Sequence, residues 1–232
     1  NLAPLHETMA AALVELSRYR GRDFFLDPFC GSGTICIEAA LIACNRAPGL
    51  GRGFAAQKWG CVPEQLWRDA RMEALDHEFR GNYRILGTDI DPEALDIARS
   101  NAGKAGVEKL ITFRQGDAAQ LPMPAQEGLI VTNPPYGERM LEQRSAQQLI
   151  RRFGRHVRFQ DGWRMTIISS EPEFELYFGK KADKRRKLYN GRLQCNAYLY
   201  GARRADGRDA AGGKRPASGS TSPRRKDGTA AE

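Results

Sequence analysis

Apolar residues fall into two rhythms along the chain, and the exchange between them outlines the fold. Leu5, Met9, Ala12, Leu13 and Leu16 recur every three or four positions, which predicts an amphipathic helix ending before Gly21. Phe24 to Leu26 is a short, wholly apolar run and predicts a buried strand. A glycine turn and an apolar helix from Thr34 to about Cys44 follow. Asn45 to Gly60 carries Pro48, Gly49, Gly51, Gly53 and Gly60 and reads as an irregular excursion. From Pro63 a second helix places Leu66, Trp67, Ala70, Ala74 and Leu75 on one face. Arg84 to Thr88 predicts a strand. Asp91-Pro92-Glu93 predicts a helix start, with a carboxylate cap, a proline at the first helical position and an acid at the positive end of the helix dipole. Gly106 ends that helix. Ile111 to Arg114, Leu129 to Thr132, Arg164 to Ser169 and Leu193 to Tyr200 complete the predicted strands.

Strand and helix alternate as far as Ser169, which predicts an α/β fold, a Rossmann-like, doubly wound and mostly parallel sheet. The last strand follows another with no clear long helix between them, so an antiparallel hairpin is expected at one edge.

Composition narrows the setting. The 232 residues are 41% hydrophobic and 28% charged, as in globular proteins, and no apolar run approaches the roughly 18 residues of a membrane span. No membrane partner is expected. Cys30, Cys36, Cys44, Cys61 and Cys195 form neither a disulfide framework nor a C-x-x-C site, so a reducing cytoplasm and no metal are expected. The formal charge of +8 calls for a polyanionic partner. Half of that excess sits in residues 202–232, where eight Lys or Arg face four Asp or Glu in a Gly-, Ala- and Ser-rich tail expected to be disordered. The chain starts at Asn1 rather than Met, which reads as an excerpt of a longer protein.

Asp27-Pro28-Phe29-Cys30-Gly31-Ser32-Gly33-Thr34 joins a strand to a helix, where a ligand can meet backbone N–H groups. No Gly-Lys-Ser/Thr follows, and Cys36 stands where the third glycine of a dinucleotide fingerprint belongs, so ATP and NAD lose ground. An acid before the glycines suits a ligand with an ammonium group. Asp89, ending the next parallel strand, is placed to accept both hydroxyls of a ribose. Gly116-Asp117-Ala118 brings another acid to the same edge, within reach of an adenine amino group. Asp91 is explained by its capping role alone.

After the strand Leu129 to Thr132 comes Asn133-Pro134-Pro135-Tyr136-Gly137-Glu138-Arg139. Two prolines stiffen the strand end, so the Asn133 side-chain oxygen and the Pro134 carbonyl become neighbouring acceptors for the two hydrogens of one amino group. Tyr136 offers a face for a flat substrate. In this order, D-P-F-C-G-S-G-T, G-T-D-I-D-P and N-P-P-Y-G-E-R resemble the class I S-adenosylmethionine-dependent amino-methyltransferases. The opening A-P-L-H-E-T-M-A-A-A-L, the I-E-A-A, the R-A-P-G-L excursion and the late K-R-R-K-L-Y-N-G narrow the likeness. Together they resemble the catalytic domain of the THUMP-containing RNA guanine methyltransferases of the bacterial YpsC and RlmL type.

That resemblance, covering about Asn1 to Arg203, implies a methyltransferase domain over 1–201 that moves a methyl group from S-adenosylmethionine to the 2-amino group of a guanine in large-subunit ribosomal RNA. It implies that Asp27, Phe29, Gly31 and Gly33 line the methionine part of the cofactor, Asp89 the ribose, and Ile90 and Asp117 the adenine, with Ala118 also at the cofactor and Thr8 closing the site from the opening helix. Asn133, Pro134 and Tyr136 become the catalytic set, with no metal and no separate base. Glu38 either supports the Asn133 loop or caps within the core. The ferredoxin-like and THUMP regions that precede this domain in the family are missing from the chain. Lys184, Arg185, Arg186 and Lys187, within a basic stretch from Lys180 to Arg192, are expected at RNA phosphates, and Arg144, Arg151, Arg152, Arg155 and Arg158 border a second candidate surface. The competing substrates are tRNA guanine, DNA adenine and protein glutamine. A non-enzymatic RNA-binding assembly module would predict a damaged glycine turn or N-P-P-Y, and both are intact.

Overall fold

The computed structural model describes residues 5–136, 140–157 and 161–201. The chain divides into units Asn1–Ala202 and Arg203–Glu232. The second unit and the expectation of a disordered basic tail lie outside the described residues, as do Gly137, Glu138, Arg139 and Arg158.

Seven strands form one sheet: β1 (Phe25–Asp27), β2 (Ile85–Asp89), β3 (Ile111–Gln115), β4 (Gly128–Thr132), β5 (Trp163–Ser169), β6 (Lys184–Asn190) and β7 (Leu193–Tyr200). Their order is β3-β2-β1-β4-β5-β7-β6. The first five pair in parallel, whereas β7 runs antiparallel to both β5 and β6. The parallel body and the antiparallel edge hairpin match the sequence pattern.

Among the described residues six α-helices accompany the sheet: α1 (Glu7–Leu16), α2 (Thr34–Ala43), α3 (Glu64–Asp76), α4 (Pro92–Lys104), α5 (Met140–Val157) and the short α6 (Phe174–Phe178). Successive strand residues serve opposite faces. Phe25, Ile85, Leu129 and Val131 join one apolar core with residues of α1, α2 and α4, while Leu26, Leu86 and Ile130 join another with Ile150, Phe153 and Phe178 of α5 and α6. Burial on both faces explains why these strands read as continuous apolar runs. The α4 boundaries follow local chemistry. The Asp91 carboxylate accepts the Glu93 amide at 2.9 Å, and at the other end Val107 N–H reaches Ala102 O while Gly106, at φ +70°, bonds Gly103 O.

The structure adds three features. Lys184 to Lys187 belong to edge strand β6, which the sequence pattern does not mark because four consecutive cations conceal the alternation. Helix α3 forms, but the face bearing Leu66 and Leu75 stays exposed because little more than Phe54, stacked on Trp67 at 5.9 Å, covers it. Arg46 of the R-A-P-G-L segment holds the fold together: its guanidinium forks onto Glu78 at 2.7 and 3.0 Å and bonds the Ala105 and Gly106 carbonyls.

Candidate active site

The strand order reverses between β1 and β4, so the loops leaving their carboxyl ends diverge and open a crevice. A cavity of about 380 Å³ occupies it. The turn after β1, Asp89-Ile90 after β2, Gly116 to Ala118 after β3 and Asn133 to Tyr136 after β4 form its walls, with Leu5 and Leu149 beside them.

Two acids from neighbouring strands organise the glycine turn. Asp89 Oδ2 accepts the Gly31 amide at 2.8 Å, and Oδ1 accepts the Asp91 amide at 3.1 Å. Each oxygen keeps a lone-pair site for a further donor, which fits the paired hydroxyls of a ribose. Gly31 lines the cavity at φ +49°, with no protein atom within 4 Å of where a Cβ would stand. Gly33 has a different task. At φ +84° it caps α2, and a Cβ there would lie 3.0 Å from Ala98 and 3.1 Å from Phe113, so it lets α2 pack closely on α4 and β3.

Asp27 is 1% exposed, and its Oδ1 accepts Thr132 Oγ1–H at 2.6 Å and the Phe29 amide at 3.2 Å. Burial pushes its pKa up to about 7, against the pull of those two hydrogen bonds. Among the described residues no Lys or Arg pairs with it, so the cavity presents a buried acid that an ammonium group would complete. Cys30 borders the same cavity. Burial, followed by Asp27 and Asp89, drives its thiol pKa far up, which argues against a thiolate nucleophile.

At the end of β4 the Asn133 side-chain oxygen is buried and accepts no hydrogen bond from the described protein. Leaving a buried acceptor unmet costs on the order of 1–3 kcal/mol, so this atom is set for a donor from a ligand. Pro134 is buried beside it, and Tyr136 is half-buried at the cavity wall. On the opposite side, Asp117 accepts the Ala119 amide at 2.9 Å, Gln120 Nε2 at 3.0 Å and the Arg152 guanidinium at 3.1 Å. Those three donors fix its plane and leave capacity for one more.

The structure thus brings together Asp27, Phe29, Gly31, Asp89, Ile90, Asp117, Ala118, Asn133, Pro134 and Tyr136. Thr8 is exposed and Leu5 lines the cavity instead, because Ala10, Leu13 and Val14 set the inward face of α1. Gly33 packs behind the turn. Glu38, its pKa raised to about 7 by burial and then by Glu7, borders a separate groove with Ala11 and Ala74. Thr132, the partner of Asp27, carries no motif signal, and Arg152, expected at a candidate RNA surface, instead bonds Asp117 at the cavity wall; only the fold shows either pairing. Among the described residues no group of three or more His, Cys, Asp or Glu could hold a metal ion.

An acid at the end of β2, a buried acid at the end of β1 and an unmet side-chain acceptor just after β4, around one cavity on a sheet of this order, match the plan of the class I S-adenosylmethionine-dependent methyltransferases. The chain belongs to the RMKL-like methyltransferase domain family, which it matches over residues 1–198. It is 42% identical to YpsC of Bacillus subtilis over 202 residues, 85% of this chain and 52% of the relative. It is 41% identical over 210 residues to the ribosomal RNA large subunit methyltransferase K/L of Vibrio campbellii, again 85% of this chain but 29% of that protein. The chain therefore spans about half of one relative and under a third of the other. Among solved structures, SMU.472 complexed with SAH is 39% identical with a TM-score of 0.81, covering 86% of this chain and 53% of that one. A predicted N6-adenine-specific DNA methylase from Listeria monocytogenes is 44% identical with the same TM-score, covering 86% and 52%.

Proposed function

We propose that this chain transfers a methyl group from S-adenosylmethionine to the exocyclic 2-amino group of a guanine in RNA, with large-subunit ribosomal RNA as the substrate. The observation that carries this reading is the unmet, buried acceptor of Asn133 beside the rigid Pro134 at the cofactor cavity. When bound, the cofactor supplies a sulfonium-activated methyl group. Asp27 holds its ammonium, Asp89 its ribose, and Asp117 with Ile90 and Ala118 its adenine. Asn133 and the Pro134 carbonyl take the two amine hydrogens and aim the nitrogen lone pair at the methyl, and Tyr136 stacks on the base. This is catalysis by placement: as the N–CH3 bond formed, the S–CH3 bond would break to leave S-adenosylhomocysteine, and the surplus amine proton would then pass to solvent water.

The same clamp would accept the amine of adenine, as the name of the Listeria relative suggests. RNA is favoured by the basic hairpin β6–β7 and by the ribosomal RNA named for the Vibrio relative. A reducing cytoplasm fits the free, mostly buried cysteines, and among the described residues no helix is long and apolar enough to cross a membrane. The test is methyl transfer from labelled cofactor to unmodified ribosomal RNA, tRNA and duplex DNA, followed by nucleoside analysis. N2-methylguanosine in ribosomal RNA is expected. N6-methyladenine in DNA, or methylation on carbon or ribose oxygen, would overturn the reading.

A further inference from the structure

We infer that the outer face of the β6–β7 hairpin is a platform for single-stranded RNA next to the target nucleotide, with Tyr189 as the residue on which a base stacks. This rests on the RNA reading above and extends it to a site outside the cavity. Edge strand β6 divides its basic run between two faces. Leu188 packs into the core beneath α1 with Cys195, Ala197 and Leu199, which puts Lys184 and Arg186 on that side. Arg185, Lys187 and Tyr189 share the other face, cross-strand from Tyr198, Asn196 and Gln194. There Arg185 lies 3.5 Å from Glu175, and Lys187 Nζ stands 5.6 Å from the centre of the Tyr189 ring, which remains 55% exposed. An exposed aromatic ring beside a cation and two side-chain amides, with Glu175 paired to Arg185, presents a π-face, positive charge and hydrogen-bonding groups together. Such a surface suits a base and its phosphate better than an apolar protein face.

Strand register locates this platform relative to the clamp. Thr132 is level with Ile167 of β5; Ser169, two residues on, is level with Asn196 and hence Lys187; Tyr189 is two residues further still. Four residue steps at about 3.3 Å, and three strand spacings of about 4.8 Å, put Tyr189 about 20 Å from the end of β4 and beyond the sheet edge where Asn133 sits. The hairpin is tied to the cavity wall. Asn190 Oδ1 accepts the His6 amide at 3.4 Å, next to Leu5, which lines the cavity. The target base has to leave any stack to reach Asn133, so its neighbours arrive unpaired.

The test measures binding of the full chain, saturated with S-adenosylhomocysteine, to a single-stranded oligouridylate and to an RNA duplex of equal length. Tyr189→Ala should weaken oligouridylate binding about tenfold while leaving duplex binding, S-adenosylhomocysteine affinity and melting temperature unchanged, and Tyr189→Phe should bind as wild type. Equal oligouridylate affinity for wild type and Tyr189→Ala, or equal losses on single strand and duplex, would overturn the platform. Methylation of DNA instead of RNA, with Tyr189-dependent oligouridylate binding intact, would overturn the substrate reading and leave the platform standing.

Discussion

Thr132 Oγ1 donates to Asp27 Oδ1 at 2.6 Å inside the core, joining residues 105 positions apart. The first immediately precedes Asn133 and the second opens the glycine turn, so one buried hydrogen bond links the proposed amine clamp to the proposed ammonium site. It bridges β1 and β4 at the switch point, where the two halves of the sheet diverge.

Through the proposed ammonium contact of Asp27, cofactor affinity is expected to depend on pH. With its pKa raised to about 7, the folded protein holds that proton more tightly than the unfolded chain does, so this residue's contribution to stability declines as pH rises from about 4 through 7. An ammonium ligand prefers the carboxylate, so the thermal shift produced by S-adenosylhomocysteine should grow between pH 6 and pH 8. Asp27→Asn should bind more weakly and show a flat profile. A wild-type shift independent of pH would contradict the assignment of Asp27 to the ammonium.

Thr132→Val removes the donor that pulls the Asp27 pKa down. The pH midpoint of S-adenosylhomocysteine binding should therefore move above the wild-type value, with Thr132→Ser restoring it. Calorimetry across pH measures this, and an unmoved midpoint in the valine variant would separate the two residues functionally.

Asp89 and Asn133 should fail in different ways. Asp89→Ala removes the ribose acceptor together with the anchor of Gly31 N–H, so cofactor binding should weaken by about 1.5–3 kcal/mol, the range for hydrogen bonds to a charged group. Asn133→Ala should leave cofactor affinity nearly unchanged and lower kcat by about 10² or more, since alignment is lost mainly in the transition state. Single-turnover rates at saturating cofactor distinguish the two. Near-full turnover in Asn133→Ala would defeat the clamp.

Gly154, in the last turn of α5, tests packing. A Cβ there would collide with the Phe178 carbonyl oxygen and stand 2.9 Å from its carbonyl carbon, both backbone atoms of the α6 terminus. Alanine gains roughly 0.5–1 kcal/mol of helix propensity, while overpacking costs about 1–3 kcal/mol, so Gly154→Ala should lower the melting temperature. An increase would show that α6 yields readily.

Local chemistry made most of the frame legible. The Asp91 cap, the glycine turn, the apolar runs of β1, β2 and β4, and the N-P-P-Y loop each carry their meaning in adjacent residues. What escaped depends on packing between distant segments. Thr8 lies in the first turn of α1 and Leu5 just before the helix, and only the packing of that helix on α2 shows Leu5, not Thr8, at the cavity. Gly33 looks like a ligand glycine until Ala98 and Phe113, from α4 and β3, are seen against it. Strand β6 was hidden because an edge strand with polar groups on both faces shows no apolar alternation, although the cross-strand partners of β7 define it.

Strand β6 closes one side of the sheet with a row of peptide groups that a second extended chain could extend. Lys184, Arg185, Arg186 and Lys187 line that border. Their mutual repulsion disfavours edge-to-edge pairing of β6 between copies, so the charge proposed to attract nucleic acid is also expected to protect this rim from association. Replacing all four with apolar residues would mix loss of RNA binding with aggregation, whereas glutamine replacements, monitored by light scattering, keep the two effects apart.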